Sequence, residues 1–182
     1  MSDMVDKQEI RREVRRRIKE LDPATKLRAA HRIFDRAEAT KAFGSAACIA
    51  LFAAMGDEVP TSEALLRWTK LGKRIVVPRV EGDIMRYYDY DPAAMKSGAY
   101  GIEEPTGDVE CTPETIDLMI VPARAFTRDG ARLGRGGGFY DKYMSLPTFR
   151  AYKLGIAFEC QIFESLPCDP HDILVDEVIT ER

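Results

Sequence analysis

Histidine is nearly missing from this chain of 182 residues, with His31 and His171 the only two. That scarcity argues against a zinc centre built on imidazoles. The sequence also shows no evident nucleophile–histidine pair, which argues against covalent catalysis by an activated serine or cysteine. The four cysteines, Cys48, Cys111, Cys160 and Cys168, form no C-x-x-C pair, and Cys48 sits inside an apolar run. Their spacing predicts reduced, structural thiols in a cytoplasmic protein. No apolar run approaches the roughly 20 residues of a membrane span, and the polar, charged N-terminus predicts no secretory leader. No repeat or low-complexity linker divides the sequence. What is present is ordinary globular composition, 45% hydrophobic and 31% charged, in a length that suits a single domain over residues 1–182.

The net charge of −3 hides an asymmetry. Basic residues crowd between Lys7 and Arg32, with Arg15, Arg16 and Arg17 consecutive. An arm for nucleic acid would want aromatic residues among the arginines, and none is there. Glu9, Glu13 and Glu20 are interleaved instead, so the spacing favours a salt-bridged helix face and no nucleic-acid partner.

Ile10, Val14, Ile18 and Leu21 fall at helical spacing and predict an amphipathic helix over about 4–21. Asp22-Pro23 supplies an N-cap and first-turn proline for a second helix, expected to end near Gly44. Residues 46–52 are apolar on all sides, as a buried strand requires. Thr61-Ser-Glu carries capping chemistry for a helix that Gly72 ends. Strands are expected at 75–77, 84–90, 118–121, 154–158 and 173–175, with a hairpin turn at 81–83 and a short helix at 140–144. Residues 91–115 read as loop with one helical turn. The alternation predicts an α/β fold: three α/β/α layers around a mostly parallel open sheet. In such sheets ligands bind beyond the carboxyl ends of the strands. Asp57-Glu58, Arg79 and the stretch after Val121 all fall there.

That last stretch contains Arg132-Leu-Gly-Arg-Gly-Gly-Gly-Phe-Tyr-Asp141. Gly134, Gly136, Gly137 and Gly138 leave the backbone bare and free to reach positive φ, so that consecutive N–H groups can surround a phosphate. Arg132 and Arg135 add charge, and Asp141 adds a carboxylate able to hold magnesium. The loop is neither a Walker A sequence nor a dinucleotide fingerprint. On the first helix Lys7 projects into the apolar stripe, with Arg11 beside it one turn on. A cation there needs an anionic partner or must reach out to water. Lys7 therefore either points to solvent at a frayed helix end or reaches, with Arg11, toward a phosphate chain.

The run Gly130–Lys142 closely resembles the signature of the 5-formyltetrahydrofolate cyclo-ligase family. Lys7-x-x-x-Arg11, Phe52–Glu58, Val121-Pro-Ala-x-Ala-Phe126 and Asp172-x-x-x-Asp176-Glu177 resemble further elements of that family, so the similarity spans the chain. The resemblance implies the small sheet also used by isomerases and CoA transferases. It implies an enzyme that uses MgATP to close 5-formyltetrahydrofolate into 5,10-methenyltetrahydrofolate, as a monomer or weak homodimer. It assigns ATP to Lys7, Arg11 and the loop Arg132, Leu133, Gly134, Arg135, Gly136, Gly137, Gly138, Phe139 and Tyr140. Magnesium falls to Asp141 and Asp176, the latter otherwise an exposed strand-end acid. The folate falls to Ala53, Met55, Glu58, Tyr100, Arg135 and Phe139, with Ala53 and Met55 equally readable as core packing. Arg135 and Lys7 take the catalytic roles. Phe139 stands where the family commonly has tyrosine, and Arg135 where many bacterial members have tyrosine but others have arginine. A sugar-phosphate isomerase or acyl-transfer enzyme on a similar sheet, and an RNA-binding protein using the first helix, are the rival readings that fold class alone leaves open.

Overall fold

A computed structural model describes residues 3–182; Met1 and Ser2 lie outside the described residues. The chain opens with α1 (Asp3–Lys19), whose Val14 and Ile18 are buried. On its outer face Arg16 bonds Glu13 and Glu20, and Arg17 bonds Glu13, as expected of a salt-bridged face. The Asp22 carboxylate accepts the Thr25 amide at 2.7 Å and starts α2 (Pro23–Glu38). That helix stops short of Gly44. The Thr40 hydroxyl accepts the Phe43 amide and caps a separate short helix, α3 (Lys41–Ser45), so a capping residue divides what spacing alone reads as one helix.

The strand expected over 46–52 is regular only as β1 (Cys48–Ala50), and it leads to α4 (Ser62–Lys70). Thr61 precedes α4 without capping it. Its hydroxyl donates to the Phe52 carbonyl at 2.6 Å and accepts the Ala54 amide at 3.0 Å, fixing the chain as it leaves β1. Next come β2 (Arg74–Glu81) and β3 (Ile84–Asp89), joined at the expected turn, where Gly82 has φ +68°. The stretch read as loop holds a small ribbon, β4 (Met95–Ser97) with β5 (Glu103–Pro105), and the edge strand β6 (Glu110–Cys111). Elements of two or three residues show no period to read. Then follow β7 (Leu118–Val121), the ribbon β8 (Ala125–Phe126) with β9 (Arg132–Leu133), α5 (Phe139–Met144), β10 (Tyr152–Ile156) and β11 (Glu177–Ile179).

The strand expected at 173–175 is not one. The Ile173 amide donates to Asp141 and the Val175 amide to the Gly130 carbonyl, so this segment walls the glycine loop. Sheet pairing begins only at Glu177, opposite Leu154. The sheet runs β11-β10-β7-β1-β2-β3-β6, parallel through β2 and antiparallel at β3 and β6. Alternate residues serve two cores. Ile49 and Leu51 face α1 to α4, whereas Cys48 and Ala50 face α5 and its flanking loops. Trp68, fully buried, meets Phe34 edge-on and Phe43 at a tilt, and so locks α4 to α2 and α3. The architecture is the three-layer α/β/α arrangement, with four helices on one face.

Candidate active site

The carboxyl ends of β1 and β7 open on a cleft of about 940 Å³, walled by α1, the glycine loop and the segment 169–173. Parallel packing puts these ends at one edge, which is why residues from opposite ends of the chain meet there.

The glycine loop enters from β9 and leaves into α5. Gly136 has φ +113° and Gly138 φ +71°, left-handed positions that an L side chain resists. A Cβ on Gly137 would lie 2.8 Å from the Phe139 ring, so the bare backbone also lets that ring fold over the loop. Beneath it Arg132 is buried. Its Nε donates to the Pro122 carbonyl at 2.9 Å, its guanidinium lies over the Tyr140 ring, and Asp141 sits 3.6 Å away. Burial pulls the Arg132 pKa down, with Asp141 acting against it.

Two cations of α1 complete this side. Arg11 Nε donates to the Gly134 carbonyl at 2.8 Å, tying α1 to the loop; burial, then the nearby Arg124, lowers its pKa. Lys7 is not at a frayed end. Its side chain is only 16% exposed and bonds Asp169 at 2.8 Å, with Asp172 at 3.7 Å. The bond to Asp169 raises the Lys7 pKa despite partial burial.

The other side is acidic. Glu58 accepts the Met55 amide at 2.8 Å and faces Arg135 at 3.7 Å. Burial holds its carboxyl above the ordinary glutamate value, against those two groups. Its neighbour Asp57 behaves in the opposite way. Burial opposes its ionisation, but hydrogen bonds from Arg135 at 2.6 Å and Arg124 at 2.5 Å prevail and lower its pKa. Ala53 and Met55 are half-buried and line the cleft rather than the core. Tyr100 lies above them on a turn with φ +60°, 71% exposed, its ring 6.5 Å from that of Phe139. A left-handed tyrosine is a local strain of about 1–3 kcal/mol.

The structure thus brings together Lys7, Arg11, Ala53, Met55, Glu58, Tyr100 and residues 132–141. Leu133 contributes from the floor, buried in β9. Asp176 is not brought in. Its carboxylate accepts the Lys153 amide at 2.8 Å and faces the Lys153 ammonium, at the amino ends of β10 and β11 and so at the far edge of the sheet. The acid of that C-terminal element that does line the cleft is Asp172, close to Asp141 because the next amide, Ile173, donates to Asp141 at 3.1 Å. Arg79 is also elsewhere. β2 runs past it, and it stacks on Tyr88 while bonding Glu81 and the carbonyls of Pro105 and Gly107. Sequence reading passed over Arg124, Asp169 and Glu104, the last a buried carboxylate that accepts the Val80 amide and lines the cleft. A signal existed for Arg124: one charge inside the apolar run 118–126 demands a partner.

The sequence pattern of the 5-formyltetrahydrofolate cyclo-ligase family matches residues 3–181. A 5-formyltetrahydrofolate cyclo-ligase of Mus musculus is 30% identical over 189 aligned residues, covering 96% of this chain and 93% of its own. That of Escherichia coli K12 is 32% identical, covering 72% and 76%. Among solved structures, a 5,10-methenyltetrahydrofolate synthetase of Aquifex aeolicus superposes with a TM-score of 0.85 at 32% identity, covering 97% of this chain and 90% of that one. One from Mycoplasma pneumoniae gives 0.80 at 25% identity, covering 97% and 99%. With the glycine loop, the α1 cations and Glu58 assembled at one sheet edge, the chain belongs to the 5-formyltetrahydrofolate cyclo-ligase family and is a ligase.

Proposed function

We propose that this chain, acting as one catalytic domain, converts 5-formyltetrahydrofolate and ATP into 5,10-methenyltetrahydrofolate, ADP and phosphate. One observation carries the reading. A single cleft places a cationic glycine loop against a largely buried carboxylate, an arrangement that suits phosphate on one side and N–H donors on the other. The formyl oxygen attacks the γ-phosphorus, the bond to the β-phosphate oxygen breaks, and ADP leaves. N10 then attacks the activated formyl carbon and loses its proton, and phosphate departs with the former formyl oxygen. An amide-like oxygen leaves poorly unless phosphorylated, so the protein needs to position and neutralise charge rather than form a covalent bond.

Residues 134–138 present backbone N–H groups to the phosphates, with Lys7, Arg11 and Arg132 supplying charge. Arg135 reaches between the γ-phosphate and the formyl group. Glu58 accepts the N–H groups of the pterin's aminopyrimidine edge, and Ala53, Met55, Tyr100 and Phe139 wall the ring. Carboxylate chemistry at the loop's end suits a hard cation that keeps water and phosphate oxygens as its other ligands. Asp141 with Asp172 would hold magnesium, which when bound with ATP neutralises phosphate charge. We place the protein in the cytoplasm as a monomer or weak homodimer; no helix among the described residues is long and apolar enough to cross a membrane.

The assay is direct. Folded protein, MgATP and 5-formyltetrahydrofolate together should generate the near-ultraviolet absorbance of the methenyl product, and no signal would overturn the reading. Lys7→Ala should raise the KM for ATP about 10-fold, the value of one charged hydrogen bond; an unchanged KM would leave Lys7 as a structural partner of Asp169. Asp141→Asn keeps an acceptor for the Ile173 amide but removes the charge. It should raise the magnesium concentration for half-maximal rate about 10-fold. An unshifted magnesium titration would remove Asp141 from that role.

A further inference from the structure

We propose that Arg124 is a positioning residue. Buried beneath the cleft, it fixes Asp57, and Asp57 in turn holds the Arg135 guanidinium over the cleft beside Glu58. The functional weight of this device rests on the reading above, in which Arg135 faces the reacting groups.

Arg135 needs a holder. It rises from a loop that is otherwise glycine on both sides and is 39% exposed, so little but its charge partners can fix its rotamer. Asp57 Oδ1 accepts its Nη2 at 2.6 Å. Among the described residues this is the hydrogen bond the Arg135 side chain makes, which leaves Nε and Nη1 for a ligand. Asp57 itself lies on the loop after β1, and its second oxygen accepts Arg124 Nη1 at 2.5 Å. Arg124 is a rigid post: its side chain is 4% exposed, its amide donates to Leu133, and its carbonyl accepts the buried Gln161 amide. It does not line the cleft, so it acts through Asp57 rather than on a substrate. An arginine between Ala123 and Ala125 is a costly way to fill an apolar strand-end site. Anchoring a carboxylate that must grip a second guanidinium gives that charge a use.

Two measurements test this on the full chain. In ligand-free protein, the order parameter of the Arg135 side-chain Nε–H, read from nitrogen-15 relaxation, should fall below about 0.6 in Arg124→Met and in Asp57→Asn but stay above it in the parent, with β1 and β7 amides unchanged. This readout requires no turnover, so it decides the positioning claim even if the MgATP assay fails. In that assay Arg124→Met should lower kcat at least 10-fold with little change in either KM, and Arg124→Lys should recover part of the loss. In an Arg135→Ala background, Arg124→Met should cost less than about twofold more, since the path it serves is already gone. Equal losses in both backgrounds, or an Arg135 side chain as ordered as in the parent, would overturn the proposal. If Arg124→Met does not fold, Asp57→Asn in both backgrounds answers the same question.

Discussion

Glu58→Gln should lower kcat/KM for the folate about 100-fold while leaving the KM for ATP within about twofold. Glutamine can still accept the Met55 amide with its oxygen. Its nitrogen would then face the cleft, where it meets pterin N–H donors with another donor. A charged acceptor is lost and a mismatch gained, and the loss falls on one substrate only. Steady-state kinetics with each substrate varied in turn would show it; equal effects on both would move Glu58 away from the pterin.

The same substitution should stabilise the fold at neutral pH. Burial raises the Glu58 pKa above its ordinary value of 4.5, so the folded state prefers the protonated carboxyl. The stability this group contributes is complete below pH 4.5 and is lost as pH rises through the raised folded value. Glutamine stays neutral throughout. The variant should therefore unfold at a higher temperature than the parent at pH 7, with the gain vanishing below about pH 4.5. No gain at pH 7 would mean that the Met55 amide, Arg135 and Arg124 already offset the burial.

The largest structural effect is expected just outside the lining of the cleft. Gly130→Ala should cost about 3 kcal/mol, lowering the Tm by roughly 10 °C for a chain of this size. Gly130 has φ +101°, and a Cβ there would lie 2.3 Å from the backbone carbonyl oxygen of Val175. Neither side can give without breaking the bond from the Val175 amide to the Gly130 carbonyl, 2.9 Å long. That bond closes the C-terminal segment over the glycine loop, so activity should fall with stability. Thermal unfolding near the parent Tm would show that the segment can move aside.

Elements long enough to show a period were legible. α1, α4 and the β2–β3 hairpin sit where apolar spacing and turn residues put them. What failed was local competition. Thr40 splits one expected helix into two, and Ile173–Val175, apolar like a strand, is claimed by Asp141 and Gly130 instead of the sheet. A strand and a buried wall segment carry the same residues, and only their hydrogen-bond partners distinguish them. The same holds for Asp172 and Asp176, two acids four residues apart. One lines the cleft and the other ties off the amino end of β10, because the chain between them turns to enter the sheet.

By itself the sequence determined the class of the molecule and the parts of its site. Alternating helices and apolar strands allow little but a covered parallel sheet, and a glycine loop with arginines, a tyrosine and an acid holds the groups that a phosphate site would use. Local composition records what a segment can offer. Which charges face each other is set by strand order and burial. Tertiary structure alone paired Lys7 with Asp169 across 162 positions, turned Asp176 away, and buried Arg124 under Asp57. A charge taken from water must find its partner wherever the sheet delivers one.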